Sequence, residues 1–165
     1  MKRRLIVMRH AKSSWAEPGV PDHDRPLNGR GRESAPKVAK KLIEIEWQPE
    51  FVLSSDATRT RETFGLMSEE FSDDVDFQFL PELYLSGIRE VVSHVSNVSI
   101  EVQTAMVLGH NPGWEYVVQH LSGEGVVMKT GAAALLELDA DDWNEAMRSA
   151  GTWKLVDVIY PRELN

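Results

Sequence analysis

Along the chain, short apolar runs alternate with stretches in which apolar residues recur every three or four positions, the marks of buried strands and amphipathic helices. The first run, Leu5-Ile6-Val7-Met8, ends abruptly on Arg9-His10-Ala11-Lys12-Ser13. Residues 14–32 carry Trp15, Pro18, Gly19, Pro21, Pro26, Gly29 and Gly31, which predicts a loop; its length marks it as a candidate for function. Residues 30–46 predict a helix that turns Ala35, Val38, Ala39, Leu42 and Ile45 to one face. Pro36 is best placed in a first turn, which moves the expected start toward Ser34. Phe51-Val52-Leu53 predicts a second strand, and from Thr58 a helix carries Thr63, Phe64, Met67 and Phe71 until Asp73-Asp74 breaks it.

Residues 76–80 alternate as a strand does and lead into Pro81-Glu82-Leu83-Tyr84. Ser86 is the expected N-cap of a helix that turns Ile88, Val91, Val92, Val95 and Val98 inward. Residues 104–108 form another apolar strand, which Gly109-His110-Asn111-Pro112-Gly113 turns into a helix holding Trp114, Val117, Val118 and Leu121. Residues 132–138 and 153–160 read as strands with a helix between them around Trp143, Ala146 and Met147. This alternation predicts an α/β protein, a three-layer α/β/α sandwich with a largely parallel central sheet, with residues 1–165 as a single domain.

Composition narrows the function classes. A formal net charge of -8 argues against a nucleic-acid partner, because a phosphate backbone is held by clustered Lys and Arg. Any local gathering of basic groups is then an exception that points to an anionic ligand, and Arg9 and Lys12 begin one. With no cysteine, disulfides, thiolate zinc sites and a cysteine nucleophile drop out. Only four apolar residues follow Met1-Lys2-Arg3-Arg4, too few for a secretory core, and no later run approaches membrane-spanning length; the expected compartment is the cytoplasm, with no membrane partner.

Open α/β sheets bind ligands at the carboxyl ends of their strands. If the strands lie parallel, three such ends bring Arg9-His10, one of Arg59 and Arg61, and His110 to one edge, with Glu82 as a fourth candidate. Taken singly, each has a plainer reading: a hydrogen-bonding histidine, a solvated helix face, a surface carboxylate. Their joint recurrence at strand ends is what favours a site. Guanidinium forks suit a phosphoryl group and would hold a carboxylate as well, while a neutral imidazole can attack phosphorus and split one displacement into two. Asp22-His23-Asp24 invites a metal reading, but no histidine pair here has ligand spacing, and three polar residues in a Pro-rich loop are ordinarily solvated. No metal and no cofactor are expected.

The motifs resemble those of the histidine phosphatase superfamily, which includes the phosphoglycerate mutases. Arg9-His10-Ala11 after a strand is similar to its Arg-His-Gly signature, Ser55 through Thr63 to its Ser-Pro-x-x-Arg-Ala-x-x-Thr segment, and Gly109-His110 to its Gly-His segment. The second of these places the further arginine at Arg59. Within the superfamily the Arg-His-Ala-Lys-Ser-Ser-Trp opening, Asp24-Arg25-Pro26-Leu27-Asn28, Gly-His-Asn-Pro-Gly and Thr130-Gly131-Ala132 resemble the SixA-type phosphohistidine phosphatases. That resemblance implies a phosphoglycerate mutase-like fold without large insertions and an open groove suited to a protein substrate.

The resemblance also implies that His10 attacks phosphorus, that Arg9, Arg59 and His110 hold the nonbridging oxygens, and that Arg25 adds a contact from the loop. Glu82 lies where larger relatives place a proton-donating acid. Ala11 and Lys12 depart from the mutase pattern and disfavour a mutase; Asp56 and Thr60 replace the usual proline and alanine, with only the turn expected to change. The implied activity is removal of phosphate from phosphohistidine on a signalling or phosphotransfer protein. A phosphomonoesterase for a small phosphorylated metabolite is the alternative, and a non-catalytic phosphate-binding adaptor is a second.

Overall fold

The computed structural model describes residues 1–72 and 74–165. Six strands form one sheet in the order β3-β2-β4-β1-β5-β6: β1 Lys2–Arg9, β2 Phe51–Ser55, β3 Asp76–Leu80, β4 Thr104–Gly109, β5 Ala133–Asp139 and β6 Lys154–Ile159. β3, β2, β4 and β1 are mutually parallel, whereas β5 runs antiparallel to both β1 and β6.

Period-two alternation in β1 splits the core into two layers. Leu5 and Val7 face α3 (Ile88–Val95), α4 (Gly113–Ser122) and α5 (Trp143–Ala146), while Ile6 and Met8 face α1 (Gly29–Glu44) and α2 (Thr58–Ser68). The sandwich predicted from the pattern is therefore present, with helices on both faces of the sheet.

Several boundaries differ from the sequence expectation, each for a local reason. α1 begins at Gly29, not near Ser34, because the Asn28 side chain accepts a hydrogen bond from the Gly31 N–H at 2.9 Å and caps it. Pro36 consequently lies inside the helix, at a cost of about 3 kcal/mol in lost hydrogen bonding and ring clash; burial of Ala35, Val38, Ala39 and Leu42 offsets it. Gly87, not Ser86, caps α3, and the Glu90 carboxylate takes the Gly87 N–H at 3.0 Å. α2 already ends at Ser68; of the expected Asp73-Asp74 break, Asp73 lies outside the described residues.

Candidate active site

β1 and β4 are neighbours, but α1, which follows β1, and α4, which follows β4, pack on opposite faces of the sheet. Connections that diverge in this way leave a crevice at the strands' carboxyl ends. His10 stands at its head: its N–H donates to the Gly109 carbonyl at 3.0 Å and its carbonyl accepts from Gly131 at 2.7 Å. The backbone is thus held from both sides. Gly109 is required there, because a Cβ would come within 2.4 Å of the Trp114 ring.

The His10 Nδ1 lies 2.6 Å from the Ala11 carbonyl, which can only accept, so Nδ1 carries the proton and Nε2 keeps its lone pair. Burial lowers the His10 pKa to about 3, with the charges of Arg59, Arg9 and Arg25 adding to the effect against the Ala11 hydrogen bond. His110 is likewise lowered to about 3, by burial and then by His10 and Arg59. Both rings are neutral at pH 7, and their centroids are 5.3 Å apart. Ser55 at the end of β2 positions His110, its Oγ 2.8 Å from Nε2. Thr63 of α2 accepts from the Ala11 N–H at 3.1 Å and donates to the Arg59 carbonyl at 2.7 Å, which ties the two motifs together.

Three guanidinium groups surround the rings. Arg9 donates to the Met128 carbonyl at 3.0 Å; that segment is itself pinned by Glu115, which accepts from the Met128 N–H at 2.8 Å. Arg59, only 3% exposed, donates to the Asp22 carbonyl at 2.7 Å and to its carboxylate at 3.1 Å. Arg25 donates to Ser13 Oγ at 2.8 Å, pairs with Asp22 at 3.2 Å and stacks on Trp15 at 3.5 Å. The Nε atoms of Arg9 and Arg59 and the Nδ1 of His110 are buried and have no hydrogen-bond partner among the described residues. Arg9, His10, Arg25, Arg59 and His110 all line one cavity of about 190 Å³, together with Lys12, Trp15, Leu85, Asn111 and Thr130 among others.

Five of the six residues singled out from the sequence therefore meet in this cavity, and Glu82 does not. It is exposed in a short 3-10 turn after β3, an edge strand three spacings, or roughly 14 Å, from β1. Between Arg59 and Arg61 the placement is clear: Arg61 is exposed, bonded to the Asp56 carbonyl at 2.8 Å and stacked on Phe79. Asp22, His23 and Asp24 do not converge. The Asp22 carboxylate turns to Arg59, Arg25 and the Tyr84 hydroxyl, and His23 bonds Asp56 at 2.8 Å. Asp56 thus does more than alter a turn, since it ties the long loop to the start of α2. Partial burial would raise the Asp22 pKa, but hydrogen bonds from Tyr84 and Arg59 outweigh it and hold it down to about 2.

Sequence reasoning passed over Asp22 as a partner of arginines, missed Tyr84, and quoted Ser55 as the first residue of a motif without giving it a role. For Asp22 and Tyr84 only nearness to the motifs could have pointed to them.

The sequence model of the histidine phosphatase superfamily (branch 1) matches residues 5–84. An uncharacterised chloroplast protein of Arabidopsis thaliana is 38% identical over 172 residues, covering 98% of this chain and 79% of that protein. Among solved structures, the candidate phosphohistidine phosphatase SixA of Agrobacterium tumefaciens superposes with a TM-score of 0.82 at 29% identity, over 96% of this chain and 98% of its own. Its counterpart from Nakamurella multipartitia gives 0.85 at 26%, over 98% and 97%. Among the described residues no helix is long and apolar enough to cross a membrane. With its fold, its motif order and these relatives in agreement, the chain belongs to the histidine phosphatase superfamily.

Proposed function

We propose that this phosphatase hydrolyses phosphohistidine on a partner protein through a covalent phosphohistidine at His10. The observation that carries the reading is the His10 Nδ1–H bond to the Ala11 carbonyl, which leaves a neutral Nε2 lone pair beside three guanidinium groups. That lone pair forms a bond to phosphorus as the bond to the substrate's imidazole breaks; the leaving nitrogen takes its proton from solvent. Water then attacks phosphorus, the His10 Nε2–P bond breaks, and orthophosphate leaves. Arg9, Arg59 and His110 steady the nonbridging oxygens, where preorganised charge contributes most to phosphoryl transfer. Arg25 adds a further donor. The route calls for no metal or cofactor, because the guanidinium groups supply the positive charge.

A protein substrate fits the mouth of the cavity, where Trp15 is 75% and Leu85 58% exposed. A leaving imidazole also removes the need for a strong acid, consistent with the outward position of Glu82. Rapid-quench labelling tests the reading: acid-labile phosphate should appear on the parent and vanish in His10→Ala, whose turnover falls by on the order of 10³-fold or more. Serine-linked phosphate, or a variant turning over near the parent rate, would overturn it. Side-by-side assay on a phosphohistidine protein and a panel of phosphate monoesters separates the protein substrate from a small metabolite; faster turnover of a monoester reverses the choice.

A further inference from the structure

Beside the catalytic cavity, and sharing Lys12 and Thr130 with it, lies a second cavity of about 120 Å³. Its wall carries Lys12, Arg30, Lys129 and Arg162 and, among the described residues, no carboxylate, in a protein whose net charge is -8. Among the described residues, none of these four side chains forms an ion pair, in contrast to Arg4, Arg25 and Arg59. These four exposed like charges, gathered without a counter-ion, set up a local positive potential that favours a bound anion.

The frame behind the cations is rigid. Gly31 packs so tightly on the loop after β1 that a Cβ would fall 2.2 Å from the Lys12 carbonyl, and the same carbonyl accepts from the Asn28 N–H at 3.0 Å. Gly131 adopts φ +78°, and a Cβ there would meet Pro161 at 2.8 Å. Three segments distant in sequence are thereby locked side by side: the loop after β1 with the start of α1, the approach to β5, and the 3-10 turn Pro161–Glu163. The space accommodates a phosphate or carboxylate group, and its basic lining selects for an anion.

We propose that this cavity is a second anion subsite, which takes an acidic group of the same substrate whose phosphoryl group lies at His10. The inference rests on the phosphatase reading for what occupies the first cavity. Two sources share the chemistry: a carboxylate beside phosphohistidine on a protein, or the second phosphate of a bisphosphorylated small molecule.

The test measures inhibition of para-nitrophenyl phosphate hydrolysis by alkanediol bisphosphates of increasing length and by the matching monophosphates. In the parent, a bisphosphate that spans both cavities should compete about tenfold better than its monophosphate, the equivalent of roughly 1.4 kcal/mol. The double variant Lys129→Gln/Arg162→Gln should abolish that advantage while leaving kcat close to parental and shifting the orthophosphate and monophosphate inhibition constants equally. Phosphohistidine peptides bearing Glu or Gln at flanking positions then identify the source. A KM advantage for Glu that disappears in the double variant assigns the subsite to a protein substrate; indifference to Glu together with the bisphosphate effect assigns it to a small molecule. Equal inhibition by mono- and bisphosphates at every length, with peptides indifferent to charge, overturns the proposal, as does a parental bisphosphate advantage in a folded double variant. If the parent hydrolyses no phosphate compound, the phosphatase reading fails by itself, and calorimetric binding of the same bisphosphates still decides the subsite.

Discussion

Asp22 grips Arg59 twice, its main-chain carbonyl on one guanidinium nitrogen at 2.7 Å and its carboxylate on another at 3.1 Å. A buried arginine at the start of α2 is thereby oriented from a loop 37 residues earlier, and the carboxylate that orients it is an anion beside the proposed phosphate position. Removing its charge should strengthen anion binding. Asp22→Asn is expected to lower the inhibition constant for orthophosphate or tungstate roughly three- to tenfold, the scale of one partly screened charge. An unchanged constant would mean that substrate never meets the carboxylate.

Arg59→Ala should cost on the order of 2 to 4 kcal/mol in kcat/KM, the magnitude of losing one preorganised oxyanion donor. Arg61→Ala should leave kcat/KM near the parent value, because Arg61 is spent on the Asp56 carbonyl and the Phe79 ring at the surface. Kinetics of the pair decide which arginine faces substrate.

His10 and His110 have native pKa values of about 3 against 6.5 in an unfolded chain. Between those values the unfolded chain binds protons that the native site refuses, so stability is complete above pH 6.5 and falls as the pH drops toward 3. Urea unfolding at pH 7 and pH 5 should show a loss on the order of 1 to 2 kcal/mol per histidine, which His10→Asn reduces. Asp22, with its lowered pKa, contributes stability that is lost only below about 3.8, beneath the interval between pH 5 and pH 7 that the measurement covers. Activity, corrected for ionisation of the substrate, should show no acid limb near 6.5; a limb there would mean that the nucleophile titrates freely.

Glu82→Gln should change neither phosphohistidine nor alkyl phosphate turnover, since its carboxylate is exposed and lines no part of the catalytic cavity. A selective loss on alkyl esters would restore it as the proton donor and imply that the turn after β3 moves inward during catalysis.

The strands and helices, and the places where Arg9, His10 and His110 fall, were legible from the chain itself, whereas the choice of Arg59 over Arg61 came from the motif resemblance. Burial repeats with the period of the backbone, so an apolar run that stops at a charged residue marks a strand end without reference to any partner. Cap choice was less legible. Asn28 and Gly87 displaced the expected starts because a cap depends on one side-chain hydrogen bond and not on periodicity. Arg3 lies in the basic N-terminal stretch with nothing in the pattern to mark it, yet it is fully buried and donates to the Ala140, Ile100, Val102 and Asp141 carbonyls. What only tertiary structure decided is which distant groups meet: Asp22 with Arg59 and Tyr84, Asp56 with His23, and four cations around a second cavity. Those pairings arise from loops folding back across the sheet, where the partner lies tens of residues away and no local pattern specifies it.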